Sequence, residues 1–140
     1  MNPLSNSPLK NNATLLLIDE STGISVVRDL NLTDLSSYLE KLGDVSQTLE
    51  IKLSKESPNS LLICGGQDKL YIVGTDQPHG WQNASPKKIE TTEYVRLVTG
   101  GQETDYPRNI CFTCEETLQI AQDFLKGTLS DSCYWDNPPI

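Results

Sequence analysis

The residues best equipped for chemistry in this 140-residue chain are four cysteines and a single histidine. Cys111 and Cys114 form one C-x-x-C, with Cys64, Cys133 and His79 elsewhere in the chain. Zinc ribbons close their tetrahedral site with a second such pair, and the sequence holds none. Cys133 and His79 would complete four ligands only by coincidence of fold. A redox pair is a second use, because a helix start stabilises a thiolate and Cys114 stands at one. Thioredoxin-like pairs follow a strand of a βαβ unit, a pattern missing here. Small buried thiols are the simpler reading.

The other reactive residues are equally sparse. His79 lies in Gln77-Pro78-His79-Gly80, a turn composition, with no nucleophile motif beside it. Asp19-Glu20 and Glu115-Glu116 are adjacent rather than spaced as ligands on one face. The second pair opens a helix, where the dipole favours acids. Gly65-Gly66 and Gly100-Gly101 lack the spacing of a P-loop or dinucleotide fingerprint and read as hairpin turns. Only Lys87-Lys88 are adjacent basic residues, so no nucleic-acid patch emerges. This inventory names no catalytic residue, cofactor or metal. It points to a binding module, not an enzyme, using aromatic anchors and a charged rim.

Composition supports that direction. Nineteen acidic and 11 basic residues give −8. Such a field repels nucleic acid and anionic lipid and suits a basic protein partner, with solubility alone as its other reading. Residues 101–140 hold seven acidic and two basic groups, a balance of −5, whereas residues 61–100 are neutral. Apolar residues are 36% of the chain, enough for one domain with its own core. No run approaches the ~18 apolar residues of a membrane span. Residues 1–12 lack the basic start and apolar run of a signal peptide. They are expected to form a flexible arm on a cytoplasmic protein, ahead of one domain over 13–136 and a tail over 137–140.

The elements that position these residues follow from periodicity. Two short apolar runs, 13–20 and 24–29, flank Thr22-Gly23 and predict a hairpin. A helix over 33–42 has Thr33 as cap, Leu35, Tyr38, Leu39 and Leu42 as its stripe, and Gly43 as its stop. Residues 49–55 alternate as a half-buried strand, with Leu49, Ile51 and Leu53 inward. After a turn at Ser57-Pro58-Asn59, strands at 61–64 and 70–73 pair across residues 65–68. Residues 76–80 read as turn, followed by Trp81. Residues 91–99 form the longest strand candidate, with Tyr94, Arg96 and Val98 on one face, and residues 102–106 return from Gly100-Gly101. A helix over 114–126 opens with the capping box Thr113–Glu116. Its buried face holds Cys114, Thr117, Leu118, Ala121, Phe124 and Leu125, and Gly127 ends it. The class is therefore α+β: an antiparallel sheet of about six to eight strands packed with two main helices.

The run from Tyr94 to Pro107 resembles the signature of the first-numbered immunity-protein family of bacterial polymorphic toxin systems. The shared order is a strand, the Gly100-Gly101 turn, an acidic residue and then a proline. A short strand over 109–112, a helix carrying Phe124, Leu125 and Gly127, and Trp135 follow. The hairpin of 61–64 with 70–73 and Trp81 fit upstream, so the resemblance spans residues 48–136. Asp105 stands where the family pattern has glutamate. The resemblance implies a protein that neutralises a toxin encoded beside it, commonly a zinc-dependent nucleic-acid deaminase, and it transfers no catalytic residue.

Partner contact falls on Trp81, Glu103, Asp105, Tyr106 and Trp135. For Trp135 a place in the core is the stronger of two readings, and for Glu103 and Asp105 a solvated turn edge is the alternative. Gly100, Gly101, Pro107, Phe124 and Gly127 read as structural. Two other functions stay open: a small acidic regulatory or scaffold subunit of an intracellular complex, and an enzyme built on His79 or the Cys111/Cys114 pair.

Overall fold

A computed structural model describes residues 14–18, 25–29, 32–42, 48–52, 59–87, 91–99 and 102–136. The expected arm, the turns at 22–23 and 100–101, Gly43, Ser57-Pro58 and the tail lie outside the described residues. The strands are β1 (Thr14–Ile18), β2 (Ser25–Asp29), β3 (Thr48–Lys52), β4 (Ser60–Gly65), β5 (Leu70–Gln77), β6 (Gly80–Pro86), β7 (Tyr94–Thr99), β8 (Gln102–Pro107), β9 (Phe112–Thr113) and β10 (Cys133–Trp135). The helices are α1 (Leu32–Lys41) and α2 (Cys114–Leu125). Among the described residues eight strands form one antiparallel sheet in the order β10-β6-β5-β4-β3-β1-β2, with β9 on β5, while β7 and β8 pair only with each other. The chain is thus an α+β fold.

Alternation explains which side of the sheet is covered. Leu49 and Ile51 of β3, Leu61 and Ile63 of β4, and Tyr71 and Val73 of β5 are buried in one cluster. Both helices close that face. Leu35 and Leu39 of α1, with Leu42 just beyond it, meet Ile120, Ala121, Phe124 and Leu125 of α2 there. The Tyr71 hydroxyl donates to the Leu39 carbonyl at 2.6 Å and ties sheet to helix. Burial pushes that phenol far above its ordinary range, so it stays a donor. Residues of the opposite face, such as Glu50, Leu62 and Ile72, are only half-buried.

Helix α2 forms for a local reason. The Thr113 hydroxyl accepts from the Glu116 N–H at 3.3 Å, and the Glu116 carboxylate accepts from the Thr113 N–H at 2.8 Å. Replacing Thr113 with alanine removes one half of this box and is expected to cost about 0.5–2 kcal/mol, measured by denaturant unfolding. Gly127, at φ 99°, ends the helix where an L side chain would be strained.

Several expectations are corrected. Helix α1 begins at Leu32, so Thr33 lies inside it instead of capping it. Residues 76–80 are not one turn: β5 runs to Gln77, only Pro78 and His79 turn, and β6 begins at Gly80. β5, not the 91–99 segment, is the longest described strand, and β7 starts at Tyr94. Residues 109–112 are not a strand. A 3₁₀ turn covers Arg108–Ile110 and β9 is only Phe112–Thr113. On α2, Ile120 joins the buried face, while Cys114 and Leu118 are only partly buried against it.

Candidate functional site

The β7–β8 hairpin is the element that stands apart from the main sheet. Its register sets Val98 opposite Glu103, Arg96 opposite Asp105, Val95 opposite Tyr106 and Tyr94 opposite Pro107. Side chains alternate between faces, so Tyr94, Arg96, Val98, Glu103, Asp105 and Pro107 share one. Val95, Leu97, Thr99 and Tyr106 share the other. Leu97 is fully buried, and its Cδ1 would lie 3.3 Å from a Cβ on Gly65. That second face is therefore seated on the end of β4. Tyr94, 66% exposed, marks the first as the solvent face. Two further bonds hold β7 in place: the Val98 N–H donates to the Gln67 side-chain oxygen at 2.9 Å, and the Arg108 N–H donates to the Glu93 carbonyl at 2.8 Å.

On the solvent face Arg96 organises the acids. Its Nε donates to Asp105 Oδ1 at 3.0 Å and its Nη2 to Oδ2 at 3.5 Å, while Nη1 lies 3.8 Å from Glu103 Oε2. The hydrogen bonds first, and then the opposite charge, hold the Asp105 carboxyl below its ordinary value of 3.8. A lowered native value adds stability above the unfolded pKa that is lost as pH falls through the native one. Both partners are exposed and screened by solvent, so the effect is read best at the residue. Asp105 is expected to titrate below 3.8 by NMR of its carboxyl carbon, and Arg96→Ala should move that midpoint up.

Tyr106 points the other way. Its hydroxyl shares a 2.6 Å hydrogen bond with Thr99 Oγ1, and its ring lines a cleft of about 340 Å³ with Ile72, Asn83, Ser85, Ile110 and Asp136. The cleft opens where the edge of β5 passes from β9, paired at Leu70 and Tyr71, to β6, paired from Gly74 onward. Asn83 and Asp136 on its rim bond to each other. Asp136 Oδ1 accepts from the Asn83 N–H at 2.6 Å, and the Asp136 N–H donates to the Asn83 carbonyl at 3.0 Å.

The two tryptophans occupy different surroundings. Trp81 is 36% exposed. Its indole lies across Gly74 of β5 and leaves no room there for a Cβ, and its Nε1 donates to Asn83 Oδ1 at 2.7 Å. Trp135 is half-buried against the core and donates to the Ser130 carbonyl at 2.7 Å. The structure therefore does not gather the five residues singled out for contact. Glu103 and Asp105 share one surface, Tyr106 lines the cleft together with Asn83, Trp81 bonds to Asn83, and Trp135 packs inward. Pro107 ends β8 and Phe124 is buried in the core; Gly100 and Gly101 lie outside the described residues.

The remaining reactive groups are dispersed. Cys111, Cys114 and Cys133 are free thiols, and the Cys64 sulfur lies 3.9 Å from the Thr48 hydroxyl. Burial pushes the Cys133 thiol up to about 11 and raises that of Cys111 as well, which disfavours the nucleophilic thiolate at neutral pH. Cys111 Sγ donates to the Pro107 carbonyl at 3.5 Å. His79 is exposed in its turn, 2.7 Å from the Gln82 amide nitrogen. Among the described residues no group of three or more His, Cys, Asp or Glu could hold a metal ion. Nor is any described helix long and apolar enough to cross a membrane.

Protein-family models, curated proteins and solved structures all yield no match to this chain. Reading the sequence missed Arg96, Gln67 and Leu97 as parts of the site. A signal for the first was present: a two-residue hairpin connection at 100–101 places Arg96 directly across from Asp105. Nothing local marks Gln67 or Leu97, whose partners come from another part of the chain.

Proposed function

We propose that this chain is an immunity protein. It binds a cognate bacterial toxin of the nucleic-acid cytidine-deaminase type in the cytoplasm and occludes its active site, without catalysis of its own. The observation that carries the reading is the run from Tyr94 to Pro107. It resembles the immunity-family signature, and it forms a separate hairpin with Glu103 and Asp105 on its solvent face. A deaminase of this kind needs an open zinc pocket and a basic approach for its nucleic acid. An acidic projection complements such a groove, speeds encounter and makes association salt-dependent. The deep acidity of the last forty residues supports the same partner chemistry.

The test is co-expression with the toxin encoded by the neighbouring gene. The expected result is a one-to-one complex, restored growth and a deaminase made inactive. A toxin that neither binds the purified chain nor loses activity in its presence overturns the reading.

A further inference from the structure

The solvent edge of β8 offers more than side chains. The Val98 N–H donates to Gln67 and not to β8, so Val98 and Glu103 are opposed without exchanging main-chain bonds. In an antiparallel ladder both members of such a pair turn their N–H and C=O groups away from one another. The pattern repeats every second residue, so Asp105 is oriented like Glu103. The main-chain groups of both therefore project from the side of β8 that faces away from β7, where no described strand pairs. Among the described residues that strand pairs only with β7, and Gln102, Glu103, Thr104 and Asp105 are all exposed. No hydrogen bond from the described residues outside the hairpin reaches the main chain of Glu103 or Asp105.

We infer that β8 is a docking edge onto which an extended, lysine- or arginine-bearing segment of the toxin adds as a third strand, its basic side chains opposite Glu103 and Asp105. This rests on the immunity reading and names the partner chemistry of the same surface. An open edge accepts any strand through its main chain, and specificity comes from alternate side chains. A second copy of this chain is a poor occupant, because β8 against β8 brings carboxylates together and like charges across strands destabilise pairing. A strand with basic residues at alternate positions reverses that sign. Glu103 is the freer acceptor, since Asp105 is already held by two Arg96 nitrogens. Pro107, which has no N–H, bounds the edge, so the docked stretch is short.

The experiment is an NMR titration of the isotope-labelled full chain with the heptapeptide Lys-Val-Lys-Val-Lys-Val-Lys, and with its glutamate counterpart as control. Saturable shifts at the Glu103 and Asp105 amides are expected, with exchange there slowed roughly tenfold, and no response to the control. Glu103→Pro deletes an outward donor while leaving the β7 ladder intact. It should weaken binding by at least about tenfold, with unchanged β7 amide shifts showing that the hairpin persists. Asp105→Lys, which keeps its N–H, should weaken binding through charge alone. Shifts scattered over the acidic surface, or equal binding by Glu103→Pro, overturn the edge. A toxin that binds wild type and Glu103→Pro alike removes this docking mode and leaves the immunity reading standing. Peptide docking on β8 with no toxin complex removes the immunity reading alone.

Discussion

Replacing Leu97 with alanine is expected to cost about 2–5 kcal/mol and, on the proposed immunity reading, to weaken toxin binding at least about tenfold. An isolated two-stranded hairpin is marginal in water, so β7–β8 depends on its seat. Leu97 is fully buried yet lies outside the main core cluster. Its contact is the end of β4 at Gly65, whose φ of 93° and close approach to the Leu70 carbonyl leave no comfortable place for a side chain. Truncation leaves, among the described residues, the polar ties through Gln67 and Arg108 and the Tyr106 side of the cleft. The hairpin should then open below the global transition, seen as faster hydrogen exchange at β7 and β8 amides while those of β4 and β5 stay protected. Gly65→Ala attacks the same seat from the other side. A Cβ there would sit 3.2 Å from the Leu70 carbonyl oxygen and 3.3 Å from Leu97 Cδ1, in addition to the left-handed strain. Combining it with Leu97→Ala relieves the crowding but not the strain, so the two losses should add to less than their sum.

How much of this was legible depended on whether the cause was local. Helix α2 was readable to within a residue because its cap, acids and stop lie within fifteen positions. β3 was readable because Leu49 and Ile51 alternate with Glu50 and Lys52, and burial follows that alternation. β6 was not. Gly80, Asn83, Ser85 and Pro86 are poor strand formers, and the segment is held by pairing with β5 on one side and β10 on the other. Trp81 over Gly74 supplies packing that the glycine cannot. β10 has three residues and a partner nearly fifty positions away, so no window of sequence reveals it. At the site, the acids and the hairpin were visible. The open edge was not, because the direction of the Glu103 N–H follows from where the Val98 N–H goes, and that depends on Gln67.

Phe124→Ala provides the second large effect and separates stability from binding. Phe124 is buried in the helix-side core with Ile120, Ala121 and Leu125. Removing its ring is expected to cost about 3–5 kcal/mol. The lower end is favoured, because a crevice of about 50 Å³ already adjoins it beside Gln77, Gly127 and Leu129 and opens to solvent. Water can enter the enlarged space, so less of it stays empty. Neither Leu97 nor the Gln67 tie touches this region, and the two losses should be additive when combined. Measured by denaturant unfolding, Phe124→Ala and Leu97→Ala should fall in a similar range. Their affinities for the proposed toxin partner, at a temperature where both remain folded, should differ, with Phe124→Ala close to wild type. A parallel loss of affinity in Phe124→Ala would mean that the whole domain, and not the β7–β8 hairpin, governs recognition.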